Sequence, residues 1–175
     1  MAIASPPSVR AFLDMRAAAT RPSAPNPLLA IANPVFAGAG EGLGQLANAC
    51  RGAGAVPSAM ISALAPLPET ADEARRVAAT LGAGADSLLL GADATAGNLR
   101  ARDLASYRVL YFATHGLLPG ELRCQGQPGL ALTPPAVDAA DAADDGLLEA
   151  AEIAALRLDA DLVVLSACNT AASGY

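Results

Sequence analysis

Four short stretches of the chain are continuously apolar: residues 28–33 (LLAIAN), 87–90 (SLLL), 108–114 (RVLYFAT) and 161–166 (DLVVLS). None alternates apolar with polar positions, which is how strands covered on both faces read. The segments between them carry helical signals. Residues 69–81 (ETADEARRVAATL) begin acidic, carry Arg75 and Arg76 further on and stop at Gly82, an order that suits the helix dipole and a glycine C-cap. Residues 95–106 can start at a Thr95 N-cap and contain Leu99 and Leu104. Residues 146–156 (GLLEAAEIAAL) place Leu148, Ile153 and Leu156 on one broad helical face, with Glu149 and Glu152 outside it. Strands alternating with helices in this way predict an α/β fold, a three-layer αβα sandwich around a mostly parallel sheet. Ahead of the first strand, residues 21–27 (RPSAPNP) hold three prolines in seven positions and mark a linker. Residues 1–27 therefore read as an N-terminal extension, with a short helix at 9–20, and residues 28–175 as one domain.

Composition narrows this picture. Hydrophobic residues make up 53% of the 175 and charged residues only 16%, which excludes an intrinsically disordered chain. Trp is absent and aromatics are 3%, so Ala, Leu, Val and Ile must build the core. Alanine supplies roughly a quarter of the chain and every basic residue is Arg, a bias that reads as genomic base composition. The net charge of −6 and the scattered arginines leave no basic footprint for a phosphate backbone, so nucleic acid is not an expected ligand. The uncharged stretch at residues 52–68 is broken by Gly54, Pro57, Pro66 and Pro68, and falls short of the about 20 apolar residues a spanning helix needs. No membrane association is expected, and residues 1–27 lack the apolar run of a secretory signal. Three cysteines, Cys50, Cys124 and Cys168, close no disulfide set and fit no zinc spacing, and with a single histidine no metal or other cofactor is implied. The expected compartment is reducing cytoplasm.

Ligands of open α/β sheets bind beyond the carboxyl ends of the strands. Two of the four predicted strands end in reactive side chains. Residues 108–114 run into His115 and Gly116, and residues 161–166 run into Ala167, Cys168, Asn169 and Thr170. If these strands are parallel neighbours about 5 Å apart, imidazole and thiol project into one crevice. A thiol attacks as thiolate and gains from a nearby imidazole. The backbone N–H of Gly116, together with that of Cys168, could stabilise a developing oxyanion. Against this stands a purely structural histidine and a buried, inert cysteine, the more frequent role of each taken singly. Cys50 and Cys124, in Gly-containing loops, read as structural. The glycines of residues 38–44 match neither the Walker nor the dinucleotide spacing. Residues 117–135 read as a solvated loop, the alternative being a loop whose Arg123 or Glu121 touches substrate. Asp138, Asp141, Asp144 and Asp145 lack the Gly and terminal Glu of a calcium loop and read as a solvated acidic segment.

His115 precedes Cys168 by 53 residues. Caspases separate the two by about 50 and carry a Q-A-C-[RQG]-G motif, of which Ser166-Ala167-Cys168-Asn169-Thr170 keeps Ala-Cys. The blocks YRVLYFATHG (107–116) and LVVLSACNTA (162–171) resemble the two signature blocks of CHAT domains, caspase-like peptidases that are mostly bacterial and commonly attached to tetratricopeptide repeats. Supporting blocks follow in order: Ala32-Asn33-Pro34, then 90–95 (LGADAT), then Asp145-Gly146-Leu147-Leu148 with Glu152-Ile153. The resemblance runs from about Leu28 to Gly174. It implies a cysteine endopeptidase in which His115 is general base and acid and Cys168 the nucleophile that forms a thioester. It also implies an oxyanion hole from the Gly116 and Cys168 N–H groups. Ser166 and Asn169 become candidate substrate contacts, Ser166 standing where caspases carry the Gln that grips an acidic side chain, so aspartate specificity is not carried over. Proteolysis would be regulated by a partner or an attached sensor region, such as tetratricopeptide repeats.

Tyr175 lies seven residues beyond Cys168, whereas the caspase-like sheet the resemblance implies has two further strands after the nucleophile. The expectation is an N-terminal portion of a longer domain, with residues 161–166 left as an apolar edge strand inclined to self-association and with weak activity or none on its own. Two rival readings remain. One is a non-catalytic caspase-like module for interaction or scaffolding. The other is a hydrolase or acyl transferase using the same dyad on a small thioester or amide.

Overall fold

A computed structural model describes residues 10, 24–38, 56, 58–122, 125–135 and 145–167. In chain order the elements are β1 (Leu29–Pro34), α1 (Ser58–Ser62), α2 (Glu69–Leu81), β2 (Leu88–Gly91), α3 (Ala96–Arg100), β3 (Val109–Ala113), β4 (Gly116–Leu117), β5 (Gly129–Ala131), β6 (Leu147–Glu149), α4 (Ala150–Ala155) and β7 (Leu162–Leu165). Four strands make a parallel sheet in the order β2-β1-β3-β7. This is a mixed α/β architecture with helices flanking a parallel sheet, and it fits a caspase-like sandwich. All four apolar runs are strands of that sheet, and β3 and β7 are the neighbours the site argument requires. Among the described residues, no helix is long and apolar enough to cross a membrane.

Strand alternation sorts the core into two unlike faces. Leu29 and Ile31 of β1 and Leu110 and Phe112 of β3 face one side, where they pack with Leu99, Leu104, Leu130, Leu132 and Leu148. Leu28, Ala30 and Ala32, with Tyr111 and Ala113 of β3, face the other and meet Ala74 and Ala78 of α2. Helix α2 begins with Glu69 and Asp72 in its first turn and ends at Gly82, left-handed at φ +69°, whose N–H bonds the last carbonyls. These bounds are the ones the sequence predicts.

Three expectations are corrected. Residues 146–156 are not one helix: Leu147–Glu149 is strand β6, and α4 starts only at Ala150. A reciprocal capping box between Glu149 and Glu152 sets that start, and the turn before it holds Gly146 at φ +89°, where a Cβ would lie 2.8 Å from Pro134. Residues 95–106 form α3, capped by the Thr95 side chain on the Asn98 N–H, and then a separate 3-10 turn, Leu104–Ser106. Within 117–135, β5 is fully buried and joins β4 and β6 in a second, antiparallel sheet, so this is not a plain solvated loop. For β7 two readings of the sequence compete, a strand covered on both faces and an apolar edge strand, and the structure agrees with the second: among the described residues β7 is paired with β3 alone, and Leu162, Val163 and Leu165 are 53%, 45% and 45% exposed.

Candidate functional site

The carboxyl ends of β3 and β7 set the site. Phe112 lies beside Leu165 in register, and the Ser166 N–H bonds the Phe112 carbonyl at 2.8 Å, so the two strands release their following residues side by side. Beyond β3, the chain is held by Thr114, 2% exposed, whose hydroxyl donates to the Ala131 carbonyl of β5. His115 follows, partly buried, with its ring tilted 48° against Phe36 at 5.5 Å between centroids.

The imidazole Nε2 lies 2.8 Å from the Ala65 carbonyl oxygen. A carbonyl only accepts, so Nε2 is the protonated nitrogen and Nδ1 carries the free lone pair. Ala65 sits in the connection between α1 and α2, before Pro66, where the following ring favours extended backbone. Two backbone bonds, Ala37 N–H to Ser62 O at 2.7 Å and Gly38 N–H to Leu64 O at 3.1 Å, hold this connection to the chain after β1. Phe36 and Ala65 thus orient the histidine.

Gly116 opens β4. The Ala131 N–H bonds the His115 carbonyl at 2.9 Å, which puts Gly116 and Leu130 at a non-hydrogen-bonded pair of the antiparallel ladder. The Gly116 N–H therefore takes no part in that ladder and points away from β5. A cavity of about 170 Å³ lies beside it, walled by Pro128, Leu130, Ile153 and Leu165. A more polar cleft of about 390 Å³ adjoins His115 and is lined by Leu67, Glu69, Thr70, Thr114, Ser166 and Ala167.

Ser166 reaches that cleft, but its hydroxyl is engaged: it donates to Glu73 Oε1 of α2 at 3.2 Å. The buried Tyr111 hydroxyl donates to the same oxygen. Burial first, and then the Glu73 carboxylate, push the Tyr111 pKa up to about 12, so the phenol stays a donor at any ordinary pH. The Glu121 carboxylate accepts the Leu118 N–H at 2.7 Å and closes a local turn, and Asp145 accepts the Leu147 N–H at 2.9 Å in the same manner. Cys168 and Asn169 lie outside the described residues, as do Cys50, Cys124, Arg123, Asp138, Asp141, Asp144 and the glycine-rich residues 39–44. Among the described residues, no three His, Cys, Asp or Glu side chains gather in a way that could hold a metal ion.

His115 and Ser166 thus line one cleft at the carboxyl end of the sheet, and Gly116 lines the cavity described above. Sequence reasoning missed Phe36, Ala65 and Glu73. Glu73 had a signal, since on a helix it shares a face with Thr70, Ala74 and Val77, an acid on an inward stripe. The family model described as the CHAT domain matches residues 1–175, the whole chain. Searches of the curated proteins and of the solved structures return no match.

Proposed function

The chain belongs to the CHAT-domain family, which is caspase-like and peptidase-related, and from that premise we propose that it is a cysteine endopeptidase working through His115 and Cys168. Nδ1 of His115 takes the proton of the Cys168 thiol, and the thiolate adds to the scissile carbonyl. The oxyanion that forms is met by the N–H groups of Gly116 and Cys168. The imidazolium returns its proton to the leaving amine, which departs and leaves a thioester. Water, deprotonated by the same nitrogen, adds to the thioester, and collapse releases the acid and the thiol. Ser166 and Asn169 flank the nucleophile in sequence and shape its approach to substrate. Catalysis is confined to reducing cytoplasm and governed by a partner or sensor region such as tetratricopeptide repeats.

The observation that carries this reading is the bond between His115 Nε2 and the Ala65 carbonyl, 2.8 Å long. It fixes the tautomer a general base needs and spends no side chain to do so. In the test, Cys168 is alkylated with iodoacetamide near neutral pH and the adduct located by mass spectrometry. Rapid alkylation that falls at least about tenfold in His115→Ala is expected, because a structural buried thiol is inert. Equal rates in the two proteins would sink the reading. A scaffold reading is favoured by a different observation, the exposed apolar strand β7. Under that reading β7 pairs with another chain and Cys168 reacts no faster than a free thiol.

A further inference from the structure

We propose that Glu73 is a positioning residue for the nucleophile, holding the outlet of β7 against the helix layer through the two hydroxyls of Tyr111 and Ser166. The inference rests on the peptidase reading and adds to it a residue four positions into α2, remote in sequence from both members of the dyad.

Three elements converge on one carboxylate oxygen. Tyr111 is a β3 residue, in register with Val164 of β7, and both belong to the face that α2 covers. Ser166, two residues beyond Val164, points to the same side and reaches Glu73 Oε1 at 3.2 Å. A half-buried carboxylate against an apolar layer is costly unless its oxygens are hydrogen-bonded. Bonds from hydroxyls to a charged acceptor are of the stronger kind. Both hydroxyls satisfy Glu73 Oε1, and both are held by it.

The location gives that bond its consequence. β7 is open to solvent along most of its length and paired only with β3 among the described residues, so little packing restrains its carboxyl end. Two contacts of Ser166 act there: its N–H on the Phe112 carbonyl at 2.8 Å, and its hydroxyl on Glu73. Cys168 follows two residues later. The backbone bond fixes the register of the outlet, and the side-chain bond fixes which way it leans, towards α2 and the cleft that contains His115. A displacement of about 1 Å at reacting atoms can cost about a hundredfold in rate, so a restraint at this point acts on chemistry far more than on folding.

The experiment follows the pH profile of Cys168 alkylation by iodoacetamide in the full chain, with thermal unfolding measured in parallel. Glu73→Ala is expected to move the profile by about one pH unit or more towards the ordinary thiol value near 8.5. Glu73→Gln, whose amide oxygen still accepts both hydroxyls, should stay within about threefold of wild type at neutral pH. Ser166→Ala should reproduce most of the Glu73→Ala shift, and combining the two should add little, since both cut one connection. If Glu73→Ala unfolds the chain, the Ser166→Ala and Glu73→Gln pair carries the test alone. Profiles unchanged in Glu73→Ala and Ser166→Ala, whatever happens to the melting temperature, would overturn the proposal and leave Glu73 as a structural residue. That failure is distinct from failure of the peptidase reading, in which wild type itself alkylates no faster than His115→Ala.

Discussion

Strands β3 and β7 read almost alike as letters, VLYFA and LVVL, and lie in register side by side, yet they live in different surroundings. Every residue of β3 after Val109 is buried, Leu110 and Phe112 among leucines on one face and Tyr111 and Ala113 among alanines on the other. β7 exposes three of its four side chains. An apolar run declares that a strand can be covered. Neighbours decide whether it is. The proposed site sits on the seam between the two, with its histidine following the buried strand and its proposed nucleophile following the exposed one.

The comparison is sharpest in stability. Leu110→Ala, at a position 1% exposed, should lower unfolding free energy by about 2–5 kcal/mol, whereas Val163→Ala, its partner in register, should cost under about 0.5 kcal/mol. Denaturant titration of both variants decides it, and similar losses would mean that β7 is covered in solution. Next in size is the bond that ties β3 to the second sheet. Thr114→Val keeps the shape but leaves the Ala131 carbonyl without the Thr114 hydroxyl, for an expected loss of about 1–3 kcal/mol by the same titration. A neutral result would show that another donor reaches that carbonyl. The third comparison is in alkali. Tyr111 has a folded pKa of about 12 against an ordinary 10, so its contribution is fully present below pH 10 and is lost as pH rises towards 12. Wild type should therefore lose stability over that interval by more than Tyr111→Phe does, read as melting temperature against pH.

Much of this architecture is written locally. The four parallel strands announce themselves as apolar runs, and α2 carries both its acidic start and its glycine stop. The second sheet does not, because GLA and LLE are too short to show a period, and LLE is continuous with the helical letters that follow it. The capping box that separates β6 from α4 was present in the letters, at Glu149 and Glu152, but an apolar stripe through Leu148 outweighed it. His115 and Gly116 were legible because chemistry at strand ends is a property of the fold. Ala65 was not, since it contributes a main-chain oxygen that every residue possesses. Glu73 stood between these cases: its inward position could be read from spacing, but its partners, 38 and 93 residues away, could not.

The alanine face between α2 and the sheet has one more consequence. Ala30, Ala32, Ala74, Ala78 and Ala113 are small enough to let the helix settle low over the strands, and so they set the thickness of that layer. A carboxylate with three side-chain carbons has a fixed reach, and it spans this layer only while the layer stays thin. Replacing any one of these alanines by valine would wedge the helix upward and take Glu73 away from Tyr111 and Ser166 without touching either. What passes in the composition as a drift towards alanine is, on this one face, a dimensional tolerance on the reach from Glu73 to Tyr111 and Ser166.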